Sequence, residues 1–288
     1  MEKRDPSLIF AVETTFGCNL SCPECAVGSG LANRRKGVMS GDFYDVVAEA
    51  IEPHCAYAYL HVWGEPLLNP DIFRIIARTA KFSKSNISTN ANTIDADCAA
   101  KLIGSGVTDV IVSIDGVTQE VYERYRRGGD VRKAMEGLAL LAAENRRTGG
   151  TVKIIPQFLV FEHNRHEMEA FGRICRDLGL EAYFKPPYLR EGSLLKPTDI
   201  PEYVRDNGSD GEKRAVRMRA CQNARNVFTI LREGQAVCCC YDNDGQEVFG
   251  DIARQGVREI WDSPEYERFR ADVRNGNFPE FCKRNCLL

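Results

Sequence analysis

Two hydrophobic periods alternate along the first two thirds of the chain. Runs rich in β-branched and aromatic residues, LIFAVETT (8–15), AYAYLHVW (56–63), SNISTN (85–90), TDVIVSID (108–115), TVKIIPQFLV (151–160) and EAYFK (181–185), have the composition and length of strands. Between them GDFYDVVAEAIE, DIFRIIARTAKF, DADCAAKLIGSG, VRKAMEGLALLAAEN and RHEMEAFGRICRDLG repeat apolar residues every three or four positions, as an amphipathic helix does. Together they predict βα units around a parallel sheet. Six units are too few to close an eight-unit barrel, which needs roughly 250 residues. The expected fold is therefore α/β, a partial (β/α)6 TIM-like barrel, with chemistry on the loops that follow the strands.

The pattern changes at residue 186. PPYLREGSLLKPTDIPEYVRDNGSDGEKR is rich in Pro, Gly and charge and reads as a linker or a segment covering the barrel mouth. Beyond it, NVFTILREGQAVCCC reads as a β-hairpin turning at Glu233-Gly234, EIWDSPEYERFRADVRN as a helix, and FCKRNC closes the chain. The expected division is a barrel over 1–185, a linker or covering segment over 186–220, and a small C-terminal domain over 221–288.

A chain of 288 residues, 43% hydrophobic, can bury a full core. A net charge of -3 gives no basic stripe of the kind nucleic acid attracts. No apolar signal region and no apolar run near 18 residues is present, so a soluble, cytoplasmic protein with no membrane partner is expected. In a reducing compartment the 12 cysteines are read as metal ligands or catalytic thiols before disulfides.

Cys18, Cys22 and Cys25 follow the spacing C-x3-C-x2-C in the first post-strand loop. Three thiolates on one loop suit an iron-sulfur cluster. On a four-iron cube they leave one iron open. This spacing after the first strand of a partial barrel resembles the signature of the radical S-adenosylmethionine (radical SAM) enzymes, and the resemblance recurs downstream. WGEPLLNP (63–70) resembles the family's GGEP motif, with Trp63 where the first Gly is usual and Gly64, Glu65 and Pro66 in register. Ser88 and Asn90 in STN, and Ser113 and Asp115 in SIDG, lie where the family places polar groups on SAM. YERYRRGG (122–129) resembles the segment that supplies an arginine to the SAM carboxylate; Arg126 is the choice, with Arg124 and Arg127 as alternatives. Glu24 stands where an aromatic or apolar residue often lies against adenine, so adenine packing must come from elsewhere.

Cys221, Cys239, Cys282 and Cys286, with REGQAVCCCYD and EIWDSPEYERFR between them, resemble the C-terminal SPASM or Twitch extension of radical SAM enzymes. The ligand layout is similar to that of the Twitch aminocyclitol dehydrogenases. The resemblance implies one fully ligated auxiliary [4Fe-4S] cluster beside the SAM-binding [4Fe-4S] cluster with its open iron. Within CCC, Cys239 aligns best with the family ligand, Cys240 is the alternative ligand, and Cys240 is also a candidate hydrogen donor. A four-cysteine zinc site is the rival for this set. Cys55, Cys98 and Cys175 sit in apolar context and read as structural. His54, His61, His163 and His166 have no metal spacing and read as surface or loop residues; Trp63 and Trp261 read as packing anchors.

The implied reaction is reductive cleavage of SAM to a 5'-deoxyadenosyl radical that removes hydrogen from a small polar or sugar-like substrate. Oxidation follows if the auxiliary cluster takes the second electron, epimerisation if a thiol returns hydrogen. A flavodoxin or ferredoxin is the expected electron donor. The alternatives are a maturase acting on a ribosomal peptide, which with seven residues before the first strand would need a separate recognition partner, and a non-enzymatic electron carrier.

Overall fold

The computed structural model describes residues 7–190, 192–204 and 211–286. Parts of the expected linker, residues 191 and 205–210, lie outside the described residues, as do 1–6 and 287–288. All six expected strands are present: β1 (Leu8–Val12), then, after a small antiparallel ribbon of β2 (Thr15–Phe16) and β3 (Gly37–Val38), β4 (Cys55–Tyr59), β5 (Ser85–Thr89), β6 (Asp109–Ser113), β7 (Lys153–Leu159) and β8 (Tyr183–Lys185). β1 and β4 to β8 pair in parallel in that order, the open six-unit arrangement that the alternation predicts. Pro156 lies within β7, opposite Val112 of β6, and just before the stretch that pairs with β8, so its missing N–H is tolerated on the side that β8 has not yet reached.

The crossover helices α1 (Gly41–Ile51), α2 (Ile72–Thr79), α3 (Ala96–Gly104), the single turn α4 (Gln119–Tyr122), α5 (Val131–Arg147) and α6 (Met168–Asp177) bury their apolar faces on the sheet. Local chemistry starts several of them: Ser40, Asp95 and Asp130 accept hydrogen bonds from the first-turn N–H groups of Phe43, Cys98 and Arg132, satisfying donors that a helix start leaves open. Cys55 and Cys175 are buried in this core and Cys98 packs on its edge, matching their structural reading.

The C-terminal region departs from a stand-alone unit. α7 (Gly211–Arg219) lies inside the expected linker; its sequence GEKRAVRMR has almost no apolar stripe, so periodicity could not reveal it. β9 (Val227–Ile230) then pairs in parallel with β1 on the side away from β4, and β10 (Gln235–Val237) and β11 (Val248–Asp251) continue antiparallel, giving one nine-stranded sheet ordered β11-β10-β9-β1-β4-β5-β6-β7-β8. The expected hairpin turn is at Glu233-Gly234, where Gly234 N–H bonds the Leu231 carbonyl. The single helix expected over EIWDSPEYERFRADVRN is two, α8 (Val257–Trp261) and α9 (Pro264–Asn275), because Ser263 caps α9 and Pro264 sits in its first turn. α10 (Glu280–Asn285) ends the described chain. Among the described residues no helix is long and apolar enough to cross a membrane.

Candidate functional site

The three-cysteine loop leaves the C-terminal end of β1 and folds onto itself. Cys22 is buried, Cys18 and Cys25 are partly exposed, and the Leu20 N–H lies 3.3 Å from Cys18 Sγ. Gly28 permits the fold, since a Cβ there would sit 2.6 Å from the Cys22 main-chain nitrogen. Leu20, Cys22, Tyr125 and Phe161 form a second apolar cluster, separate from the main core, against which Cys18 and Cys25 pack. Ser21 N–H bonds the Arg127 carbonyl, fixing the loop to the segment before α5. Burial pushes the Cys18 thiol up to about 11, so binding iron there exchanges a proton for metal. Three thiols of one loop packed in one apolar cluster are the donors an iron-sulfur cluster requires.

The Gly64–Pro66 stretch is joined to this loop through the main chain. Glu65 N–H donates to the Gly17 carbonyl at 2.8 Å, while the buried Glu65 carboxylate accepts the N–H of Asn90 at 2.8 Å and of Leu67 at 3.2 Å. Burial raises the Glu65 carboxyl, and the Asn90 N–H opposes that rise. Gly64 has φ +85°, and a Cβ there would stand 2.6 Å from the carbonyl oxygens of Gly17 and Thr15. Gly64→Ala is therefore expected to push the motif off the cysteine loop; SAM affinity measured by equilibrium dialysis should fall by at least about tenfold, a change of about 1.4 kcal/mol. Unchanged affinity would show that this contact does not shape the site.

The polar strand ends meet inside the barrel. Ser88 Oγ and Ser113 Oγ are 3.5 Å apart across β5 and β6, and Gln157 of β7 reaches Ser113 Oγ at 3.4 Å. Asn90 Nδ2 donates to Asn19 Oδ1 at 2.9 Å and lies 3.7 Å from Cys18 Sγ. Asp115 is fully buried and both oxygens are occupied: Oδ2 by Arg126 Nε at 2.5 Å, Oδ1 by the Leu159 N–H at 2.6 Å. This pair sets the Arg126 guanidinium beside Cys22. Arg124 and Arg127, the alternatives, instead line a separate surface hollow with Lys196.

The auxiliary cysteines also gather. Cys221, Cys238, Cys239, Cys282 and Cys286 line one small apolar cavity with Phe269, Val273 and Phe281, a soft-donor, water-poor setting that fits an iron-sulfur cluster. Cys238 Sγ lies 3.9 Å from Cys239 Sγ and donates to it, which lowers Cys239 and favours its thiolate. Cys240 does not line this cavity. Among the described residues no three His, Cys, Asp or Glu side chains converge closely enough for one metal ion; a cube, giving each thiolate its own iron, asks for wider spacing than a four-coordinate zinc ion.

A cavity of about 780 Å³ separates the two cysteine sets. Glu24 and Ala26 of the first loop, Trp63, Leu189 and Arg190 border it on the barrel side, and Tyr241, Asn243, Asp244 and Cys286 on the other. Trp63, expected as a packing anchor, faces this cavity, and its buried Nε1 has no hydrogen-bond partner among the described residues. The stretch after β8 does cover the first loop: Leu189 and Leu195 pack on the Cys22 cluster. Glu24 fastens that cover, accepting from Arg190 N–H at 3.0 Å and Ser193 Oγ at 2.6 Å. A further network not expected from the sequence joins the two halves: Arg34 reaches buried Glu13 at 2.5 Å, Glu233 at 2.8 Å and the Asn243 carbonyl at 2.7 Å. The only signal for it was a lone Glu inside an apolar strand run.

Two of the histidines read as surface or loop residues sit in loops but are not exposed. His54 is buried under β1, and His61, just past β4, is held down to about 4 by burial. Because unfolded His61 takes a proton near 6.5, its contribution to stability is complete above that pH and is lost as pH falls toward 4. Relative to pH 7.5, wild type should lose about 1 kcal/mol more than His61→Phe near pH 5.5 in urea unfolding; parallel losses in both proteins would refute this.

Comparison with known proteins identifies the family of each half of the chain. Residues 12–171 match the radical SAM superfamily and residues 221–287 match the SPASM iron-sulfur cluster-binding domain. The chain belongs to the radical SAM superfamily and carries a C-terminal SPASM domain. It is therefore a radical SAM enzyme whose cofactors are a SAM-binding [4Fe-4S] cluster and an auxiliary iron-sulfur cluster. It is 29% identical over 61% of its length to the mycofactocin maturase MftC of Mycobacterium ulcerans, spanning 46% of that protein. It is 26% identical over 98% of its length to the AdoMet-dependent heme synthase of Methanosarcina barkeri, spanning 87% of it. The chain thus spans under half of the maturase it matches. Its fold superposes on that of BtrN in complex with AdoMet and 2-DOIA with a TM-score of 0.59 at 17% identity, covering 96% of this chain and 90% of that one.

Proposed function

We propose that this enzyme oxidises a small polar substrate held between its two cysteine sets, with Cys18, Cys22 and Cys25 holding the SAM-binding cluster and Cys221, Cys239, Cys282 and Cys286 the auxiliary one. The observation that carries the reading is the cavity of about 780 Å³ bordered by the first cysteine loop on one side and by Cys286 on the other. When bound, the reduced first cluster and SAM together supply the hydrogen-abstracting power, and the auxiliary cluster a place for the second electron. The chain's own residues orient and exclude water. The Gly64–Pro66 main chain and Asn90 hold the loop that carries the cluster, Arg126 offers a guanidinium fork fixed by Asp115 to the SAM carboxylate, and the segment fastened by Glu24 keeps solvent from the first loop. Oxidation is preferred to epimerisation because Cys240, the candidate hydrogen donor, is not part of the cavity wall. A flavodoxin or ferredoxin serves as electron donor in this reading. Similarity to a mycofactocin maturase supports peptide modification as the second reading.

The test is anaerobic: reconstituted protein with dithionite and SAM should release 5'-deoxyadenosine, and Cys221→Ala/Cys239→Ala should keep that release while losing the auxiliary EPR signal. No 5'-deoxyadenosine from wild type would end the proposal.

A further inference from the structure

The wall of the central cavity is cationic in an acidic protein. Arg190, Arg214, Lys283 and Arg284 border it against two carboxylates, Glu24 and Asp244, while the whole chain carries a net charge of -3. Both carboxylates are already engaged. Glu24 accepts from the Arg190 N–H and Ser193 Oγ, and Asp244 accepts the Asn33 N–H at 2.7 Å.

Arg214 is the most telling of the four cations. Its Nη2 donates to the main-chain carbonyls of Lys283 at 3.1 Å and Cys286 at 3.0 Å, which fixes the side chain between α7 and α10 without neutralising it. A guanidinium has five N–H donors, so among the described residues its Nε and Nη1 edge remains for a planar or tetrahedral anion. Lys283 and Arg284 lie 4.0 and 3.6 Å from Glu280 with largely exposed side chains, so these pairs are weak and free to reorganise. Arg190, on the barrel side, is tied through Nη2 to the Pro23 carbonyl at 2.8 Å and lies 3.6 Å from Glu24 through Nε, so its charge is already paired and the anion falls to the other cations.

We propose that the substrate of this cavity carries an anionic group, a carboxylate or a phosphate, seated on Arg214 and Arg284 and oriented toward the first cysteine loop. The inference rests on reading the cavity as the substrate site and narrows the substrate class from polar to anionic. Guanidinium groups, Arg214 held by main-chain carbonyls and Arg284 able to turn to the ligand, match both anions in bidentate geometry, and a charged end held at the C-terminal side leaves the neutral end of the substrate facing Ala26 and Trp63.

The test uses reconstituted enzyme with SAM already bound, so that the SAM carboxylate is accounted for. Pyrophosphate and tricarballylate are titrated calorimetrically at low salt, with glucose as the neutral control. Wild type should bind at least one anion saturably, more weakly as salt rises, and not glucose. Arg214→Ala/Arg284→Ala should weaken binding by at least about tenfold, as should Arg284→Ala alone to a lesser degree, while Arg254→Ala, exposed and away from the cavity, should bind as wild type. Pyrophosphate alone binding assigns a phosphate, tricarballylate alone a carboxylate. Saturable binding of neither anion, or equal binding by the double variant with its iron content intact, overturns the proposal. 5'-Deoxyadenosine release by the same wild-type sample separates this failure from failure of the functional reading: release without anion binding removes only the anionic substrate.

Discussion

Replacing Cys18, Cys22 and Cys25 together by alanine is expected to lower the iron bound per reconstituted chain from about eight to about four and to abolish 5'-deoxyadenosine formation. The three sulfurs belong to one loop held by Gly28, Ser21 and the Gly64–Pro66 stretch, whereas the auxiliary cysteines sit in a separate apolar cavity built from α9, α10 and the end of β10. Losing one set leaves the walls of the other intact. Iron and sulfide analysis with EPR reads the outcome, the SAM-sensitive signal vanishing and the second signal persisting. About four irons in wild type and none in the variant would instead remove the auxiliary cluster, return zinc to the C-terminal cysteines, and take away the electron acceptor on which oxidation depends.

Asp115→Ala is expected to destabilise the protein by about 3–5 kcal/mol. The residue is fully buried, and its removal leaves the Arg126 guanidinium, only 13% exposed, without its carboxylate next to Cys22, and leaves the Leu159 N–H of β7 without an acceptor. Each is a buried polar group whose desolvation is no longer offset. The cost should be largely recovered in Asp115→Leu/Arg126→Met, where charge and partner go together, although SAM affinity should stay low in both. Urea unfolding of the three proteins measures the loss and its recovery. A single-variant loss below about 1 kcal/mol would mean that the pair is no buried anchor.

Much of the barrel was legible because its strands and helices each bury one regular face. Ile72, Ile75, Ile76 and Thr79, for example, fall on the buried side of α2, and the spacing alone says so. The break between α8 and α9 was legible too, in Ser263-Pro264, but only to a reading that weighs a cap above a continuing apolar pattern. α7 was hidden because nothing in GEKRAVRMR distinguishes a helix held through Arg214 from a solvated linker. At the site, residue types and order disclosed the cysteine sets and the Gly64–Pro66 motif. They could not disclose that Asp115 holds Arg126 in place through Nε, or that Glu24 fastens a segment more than 160 residues away. Such pairings depend on three-dimensional proximity that no local pattern encodes.

The parallel pairing of β9 with β1 also orders the birth of the protein on the ribosome. β1 emerges first and finds β4 within about fifty residues, yet its other edge stays bare until Val227–Ile230 has been made. Through most of synthesis, the strand that leads into the first cysteine loop is therefore an open, apolar template for stray pairing. The last quarter of the chain closes it, so a nascent chain stalled before residue 227 should be the aggregation-prone species, and one stalled after β10 should not.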